Sequence, residues 1–321
     1  MVTRLTLRTH ALPEVFGGAF ATVQATSDTA FRRLIGLTLR FCGEALVDPR
    51  WGEQLRFRPN NTLDIAMVFQ GLDQAGAEAM WRPFLDSLAA SPQEFRVVSP
   101  LQVLAAPARR FWDPEFLKSI PGLVLADDRP GAPASNIFWA GNREEAAQVL
   151  HAYQSAWLPA ALLQPDRQDG LAEALFAASR HWSVSLHLNK GLAGAPAGAL
   201  AAARDTAMNP AVLDAFALAI SAAEGPPAYP GIPGHEPDLA AARRDAATVG
   251  RAMGALRAIL PSIGCYSAES DYFEADWQQA FWGPNHARLL AVKDKYDPDG
   301  LFTAHHTVGS ERWSPDGFTR R

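Results

Sequence analysis

Residues 53–70 read EQLRFRPNNTLDIAMVFQ. Leu55 and Phe57 alternate with Gln54, Arg56 and Arg58. Beyond Pro59-Asn60-Asn61, Leu63, Ile65, Met67 and Phe69 alternate with Asp64, Ala66 and Val68. A period of two on both sides of a turn tripeptide is the pattern of an antiparallel hairpin with one buried face. Residues 181–189, HWSVSLHLN, repeat it, with Trp182, Val184, Leu186 and Leu188 on one face and Ser183, Ser185, His187 and Asn189 on the other. A sheet built from such strands has one side in a core and the other turned to water or a ligand.

Working outward, residues 20–25 read as a strand, and so do residues 2–10, VTRLTLRTH, rich in Thr and Leu. A chain that opens inside a strand implies further sequence upstream. Ser27 suits the N-cap of a helix carrying Phe31, Leu34, Ile35, Leu39 and Leu46 at helical spacing, and Asp48-Pro49 stops it. Residues 78–88 form a second helix. Residues 89–133, rich in Pro and Gly, read as a long irregular stretch, and residues 136–140 as a strand. Asn142, with Glu145 three residues on, caps a helix that sets Val149, Tyr153 and Trp157 on one face. Alanine-rich helices follow residue 190, a Pro/Gly segment at 225–237 marks a domain edge, and residues 239–260 make a long helix. Hairpin turns and short connections give an antiparallel sheet, so the fold class is α+β, with helices packed on one face of the sheet and a helical carboxy-terminal segment after it.

The 321 residues are 48% hydrophobic and 20% charged, with a net charge of −5. That balance suits a folded protein with a sizeable core and offers no footprint for nucleic acid or an anionic membrane. No apolar stretch is long enough for a bilayer span, and no signal-peptide core opens the sequence, so the expected location is cytoplasmic. Cys42 and Cys265 stand far apart without a CxxC partner and read as buried small hydrophobes. There is no GxGxxG, Walker A, GxSxG or HExxH sequence. Residues 191–198, GLAGAPAG, have the wrong glycine spacing for a phosphate loop, and Pro196 removes an amide donor. His305 and His306 are adjacent, so in extended backbone they point to opposite sides; no metal site is expected from them.

The last sixty residues are the most specific. Residues 266–271 read YSAESD, Asp276-Trp277 follow, then residues 281–289, FWGPNHARL, and residues 292–302, VKDKYDPDGLF. Read alone, this is a helix opening at Asn285, with Leu289 and Val292 inward, Lys293 and Lys295 in its last turn, and Asp297-Pro298 as the stop. As an ordered set, these segments resemble the end of berberine bridge enzyme-like FAD-linked oxidases. There a Tyr-x-Asn-Tyr-x-Asp stretch precedes a Trp/Tyr-Gly-x-Asn-Tyr-x-Arg-Leu helix and a Lys-x-Lys-Tyr-Asp-Pro exit.

The resemblance implies two parts: residues 1–260 as a substrate-binding α+β domain, and residues 261–321 as a terminal segment that completes an FAD-binding domain. The family's amino-terminal flavin domain has no counterpart in this stretch, and neither cysteine stands where a cysteinyl flavin link would be. The implied activity is hydride transfer from an alcohol- or amine-bearing carbon of a small organic substrate to flavin. Where relatives carry a catalytic Tyr, this sequence has Glu269, the candidate base, with Tyr266 orienting substrate or flavin; a solvated turn is the plain alternative. Asn285 and His286 align with the family's flavin-facing Asn-Tyr, against helix capping as the alternative. Ser185, His187 and Asn189 are the implied substrate contacts, and Lys190, at the strand end, a candidate for an acidic substrate. A second reading stays open, a non-catalytic module that complements an FAD domain on a partner chain.

Overall fold

The computed structural model describes residues 4–7, 9–143, 145–188, 190–260, 263–314 and 316–321. In chain order the elements are β1 (Val15–Ala25), α1 (Asp28–Phe41), β2 (Trp51–Arg58), β3 (Thr62–Gln70), α2 (Gln74–Ala89), β4 (Phe95–Pro107) and α3 (Pro114–Lys118). The short strands β5 (Val124–Ala126) and β6 (Ile137–Trp139) come next, then β7 (Val149–Pro159), α4 (Pro165–Ser179), β8 (Val184–Leu188) and α5 (Ala197–Ala203). The chain continues with β9 (Ala215–Gly225), α6 (Leu239–Arg257), α7 (Trp277–Trp282) and α8 (His286–Tyr296).

The 53–70 hairpin forms as its alternation requires, in unbroken register from Trp51 opposite Phe69 to Arg58 opposite Thr62. It sits at the middle of a seven-stranded antiparallel sheet ordered β4-β1-β3-β2-β8-β9-β7. Leu55, Phe57, Leu63, Ile65 and Met67 are fully or almost fully buried on one side. They share a core with Phe31, Leu34, Ile35 and Leu39 of α1, Leu171 and Leu175 of α4, and Met253 and Leu256 of α6. Ser27 caps α1 as expected, its hydroxyl oxygen accepting from the Ala30 N–H at 3.1 Å. Trp51, Phe69, Trp81, Phe41 and Phe84 form a ring cluster with centroids 4.9–6.0 Å apart that ties α1 and α2 to the sheet.

Several elements differ from the sequence reading. Within residues 2–10, those described are not strand: Leu5 is 75% and Leu7 73% exposed. Thr and Leu favour a strand only when a neighbour is there to pair and pack, and among the described residues nothing pairs with this stretch. Pairing begins at Val15, because Gly17 lets β1 approach both neighbours; a Cβ there would lie 2.3 Å from the Leu104 carbonyl and from the Phe69 ring. The stretch read as irregular contains β4, an edge strand of 13 residues whose Pro100 obscures its alternation.

The helix read from Asn142 is β7 instead. Val149, Tyr153 and Trp157 are four apart, which suits one face of a helix or every second position on one face of a strand; pairing with β9 decides for the strand. β9 itself, AFALAISAAEG, was expected among alanine-rich helices. Its neighbours β7 and β8 and the packing of α6 on its face outweigh alanine's helical preference of a few tenths of a kcal/mol per residue, about 0.7 at most.

The two sides of the sheet give a stability test. Phe57→Ala, on the helix-covered side, is expected to cost about 3–5 kcal/mol in a denaturant titration. Phe20→Ala, on the open side, is expected to stay within about 1 kcal/mol. Equal losses would contradict this assignment of faces.

Candidate functional site

The open side of the sheet can be followed rank by rank. One rank runs Thr22, Asp64, Arg56, Ser185, Ile220, Ser155, and the next Phe20, Ala66, Gln54, His187, Leu218, Trp157. At the β7 end this face is roofed by the segment after α6. The Trp157 N–H donates to the Gly264 carbonyl at 2.9 Å, and the Tyr266 N–H to Ser155 Oγ at 3.3 Å. Ser155 Oγ donates to the Glu269 carbonyl, and Gln154 Nε2 to Asp271 Oδ2 at 2.7 Å. Tyr266 lies against Trp157 with ring centroids 6.2 Å apart.

That roof holds the Glu269 carboxylate over the sheet. Lys190 Nζ donates to both of its oxygens, at 2.6 and 2.5 Å, and sits 6.0 Å from the Tyr266 ring centre. Tyr153 projects from β7 toward the same carboxylate; burial, and then the Glu269 charge, push its hydroxyl up to about 12. His187 is 14% exposed, with Nε2 3.0 Å from Ser185 Oγ and Nδ1 3.8 Å from Glu53 Oε2 but without a hydrogen bond. Burial pushes this imidazole down to about 4, and the Lys190 ammonium adds to the effect. At neutral pH the site therefore offers an ion pair, a neutral imidazole, a phenol and the Ser185 hydroxyl.

Ser185, His187, Glu269 and Tyr266 are thus brought together, while Asn189 lies outside the described residues. Asn285 and His286 belong to an adjoining layer. Asn285 does not cap α8; its Nδ2 donates to the Met208 carbonyl at 2.7 Å and the Thr206 carbonyl at 3.2 Å. His286 stands edge-on to Trp277, centroids 5.7 Å apart, and 3.5 Å from Glu311 Oε1. Val292, expected inward, is 49% exposed, and no residue of α8 is buried among the described residues.

His305 and His306, expected on opposite sides, stack at 3.7 Å. His306 has φ of 55°, which breaks the alternation of extended backbone. Tyr272 stacks outside His305 at 4.0 Å and Trp277 outside His306 at 5.3 Å, beside a groove of about 670 Å³ that Trp313 and Phe318 also line. No cluster of three metal-ligating side chains occurs among the described residues. The glycines at 191 and 194 pack closely against Ala215 and Val47, a structural use of that loop.

Tyr153, Glu53 and Arg56 were missed. Tyr153 was read onto a helix. Glu53 should share the Leu55 side, yet its φ of 65° turns it toward His187. Arg56 gave a visible signal, a charge on the polar face of a central strand.

Residues 265–309 match the berberine and berberine-like family model. FAD-linked oxidoreductase sor8 of Hypocrea jecorina is 52% identical over 61 residues, 19% of this chain and 11% of that protein. The VAO-type flavoprotein oxidase VAO615 of Thermothelomyces thermophilus is 44% identical over 63 residues, 20% of this chain and 11% of that protein. Among solved structures, the VAO-type flavoprotein MtVAO615 from Myceliophthora thermophila C1 superposes with a TM-score of 0.63 at 19% identity, covering 94% of this chain and 48% of that one. The carbohydrate oxidase from Microdochium nivale gives 0.56 at 17% identity, over 92% and 56%. The chain resembles FAD-linked oxidoreductases in its terminal segment, and in its mixed α/β fold with a large antiparallel sheet. It spans about half the length of these solved chains.

The His187 environment predicts a pH effect. With its folded value near 4 and an ordinary value of 6.5, the unfolded chain binds the extra proton first. Stability should therefore fall as pH drops from about 6.5 to about 4, by at most about 3 kcal/mol from this group, and His187→Gln should flatten that slope. An imidazole NMR titration of His187 near its ordinary value would refute the assignment.

Proposed function

We propose that this chain forms the substrate wall of an FAD-dependent oxidase that takes a hydride from an alcohol- or amine-bearing carbon of a small organic molecule. The observation that carries the reading is the Glu269 carboxylate, held over a polar sheet face by the same terminal segment that matches the berberine-like family. Residues 1–260 act as the substrate domain and residues 261–321 as the part that closes on the flavin.

The residues present fit such a cofactor. Trp282 Nε1, His286 Nε2 and Glu311 Oε2 are buried without a hydrogen-bond partner, so polar groups of a ligand have something to meet. Tyr272, which lines one groove with Glu311, and Phe273, Leu301 and Phe302 of the same terminal segment are exposed, an apolar surface that a large planar ring could cover. His286 would face the cofactor; Asn285 sets the helix start through its bonds to residues 206 and 208. When bound, FAD supplies the hydride acceptor.

The chain's own residues manage the proton. Glu269 is the acceptor for the proton released from the substrate hydroxyl or amine, with Lys190 fixing the carboxylate's orientation. Tyr153, kept protonated at neutral pH, donates toward that carboxylate and orients the substrate heteroatom. His187 and Ser185 supply hydrogen bonds to the rest of the molecule. Tyr266 closes one side by packing on Trp157.

The exposed Tyr296, Leu301, Phe302 and Phe318 favour a second reading, in which this chain is a non-catalytic module covered by an FAD domain on a partner chain. One set of measurements separates the two. Added FAD, with the chain alone or complemented by the amino-terminal half of a berberine-like relative, should acquire induced dichroism in its visible bands. In the complex that binds FAD, Glu269→Gln should slow flavin reduction by alcohol or amine substrates about 10²- to 10⁴-fold, with Glu269→Asp recovering part of the rate. Flavin binding without any effect of Glu269→Gln would favour the non-catalytic module, and no flavin signal in either arm would remove the oxidase reading.

A further inference from the structure

Arg56 lies on β2, the central strand, and its side chain projects onto the open polar face opposite Ser185. The described arginines of intermediate exposure are Arg32, Arg56, Arg58, Arg180, Arg257 and Arg312. Five of them hold a carboxylate: Arg32 holds Glu173, Arg58 Asp64, Arg180 Asp28, Arg257 Glu274 and Arg312 Asp294. Arg56 holds none among the described residues; its one side-chain hydrogen bond runs from Nη2 to Gln54 Oε1 at 2.9 Å.

Of the nearby acids Asp64 and Glu269 are committed to other cations, and Glu224, which has no cationic partner, forms no ion pair with Arg56 among the described residues. Asp64, its register partner, takes Arg58 and the Thr22 hydroxyl at 3.2 Å. Glu269 takes Lys190, and Glu53 turns to His187. Burial is the main influence on the Arg56 guanidinium and lowers it from its ordinary value, with Arg58 adding and Asp64 and Glu224 opposing. A guanidinium partly withdrawn from water, with most of its five donors unassigned, is matched by an acceptor carrying two oxygens in a plane.

We propose that Arg56 anchors a carboxylate on the substrate, so that the site takes small organic acids. This rests on the oxidase reading and narrows its substrate class. It also moves acid recognition away from Lys190, whose ammonium already faces Glu269. Arg56 is three strands from β7, roughly 14 Å between backbones at the usual strand spacing. The acid group and the oxidised carbon therefore lie toward opposite ends of the molecule, with Ser185 and His187 beneath its middle.

Binding can be measured on the intact chain without flavin or turnover, so this idea and the oxidase reading fail independently. Benzoate and its neutral counterpart benzamide are the probes, followed by calorimetry or ligand-observed NMR at low salt. Benzoate should bind about tenfold or more tightly than benzamide, with the difference shrinking as salt is added. Arg56→Gln should abolish the preference and Arg56→Lys retain part of it, with circular dichroism confirming that both variants fold. Equal binding of acid and amide, no binding of benzoate, or a preference that survives Arg56→Gln would overturn the proposal.

Discussion

The seam between two halves of the sheet fixes everything else. Glu53 through Phe57 of β2 pairs with Leu188 through Val184 of β8, joining the β4-β1-β3-β2 half to the β8-β9-β7 half. Because side chains alternate with a period of two, this register sends Leu55, Phe57, Val184, Leu186 and Leu188 under the helices together. The same register sends Gln54, Arg56, Ser185 and His187 to the open side. A slip by one residue would bury the arginine and imidazole and expose the apolar set. The burial of large side chains on the helix side, each worth about 1.5–3 kcal/mol, therefore also holds the polar site in place.

The parts legible in the sequence are those whose pattern is local and unambiguous. The 53–70 hairpin, the 184–188 strand, the Ser27 cap and the carboxy-terminal order of motifs could be read because periodicity, turn residues and caps agree there. β9 was not legible, since alanine-rich sequence prefers helix until two neighbouring strands and a covering helix are supplied from far along the chain. β7 was lost with it, for a strand reads as a helix when its large residues fall four apart and its partner has been misread. In the site, Ser185, His187 and Glu269 could be named from strand parity and a family motif. The roles of Lys190 and Tyr153 depend on where the 263–271 segment crosses the sheet edge, which is a tertiary fact.

Charge pairing organises the site more than the count of charges does. Lys190 and Glu269 face each other at 2.5–2.6 Å, with side chains 31% and 24% exposed. Such a pair is too shielded to be an ordinary surface bridge, whose worth is about 0–1 kcal/mol, and too exposed to carry the full desolvation penalty of burial. Its effect is positional: it orients the carboxylate above Tyr153 and satisfies the ammonium, leaving the next cation along the face, Arg56, to meet an incoming anion.

The neutrality of the groups between these two charges follows from the same burial. A protonated His187 would lie near Lys190 and Arg56, both of which oppose its charge, and an ionised Tyr153 would lie near Glu269 and Glu224. The floor of the site is thus held neutral mainly by burial, to which the flanking charges, positive toward β2 and paired toward β7, add a smaller share. A ligand settling there loses water against uncharged hydrogen-bonding groups, and takes its orientation from the unpaired cation at one end. The sheet register sets the distance between Arg56, the proposed anchor for a molecule's acid group, and Glu269, the carboxylate proposed to take its proton.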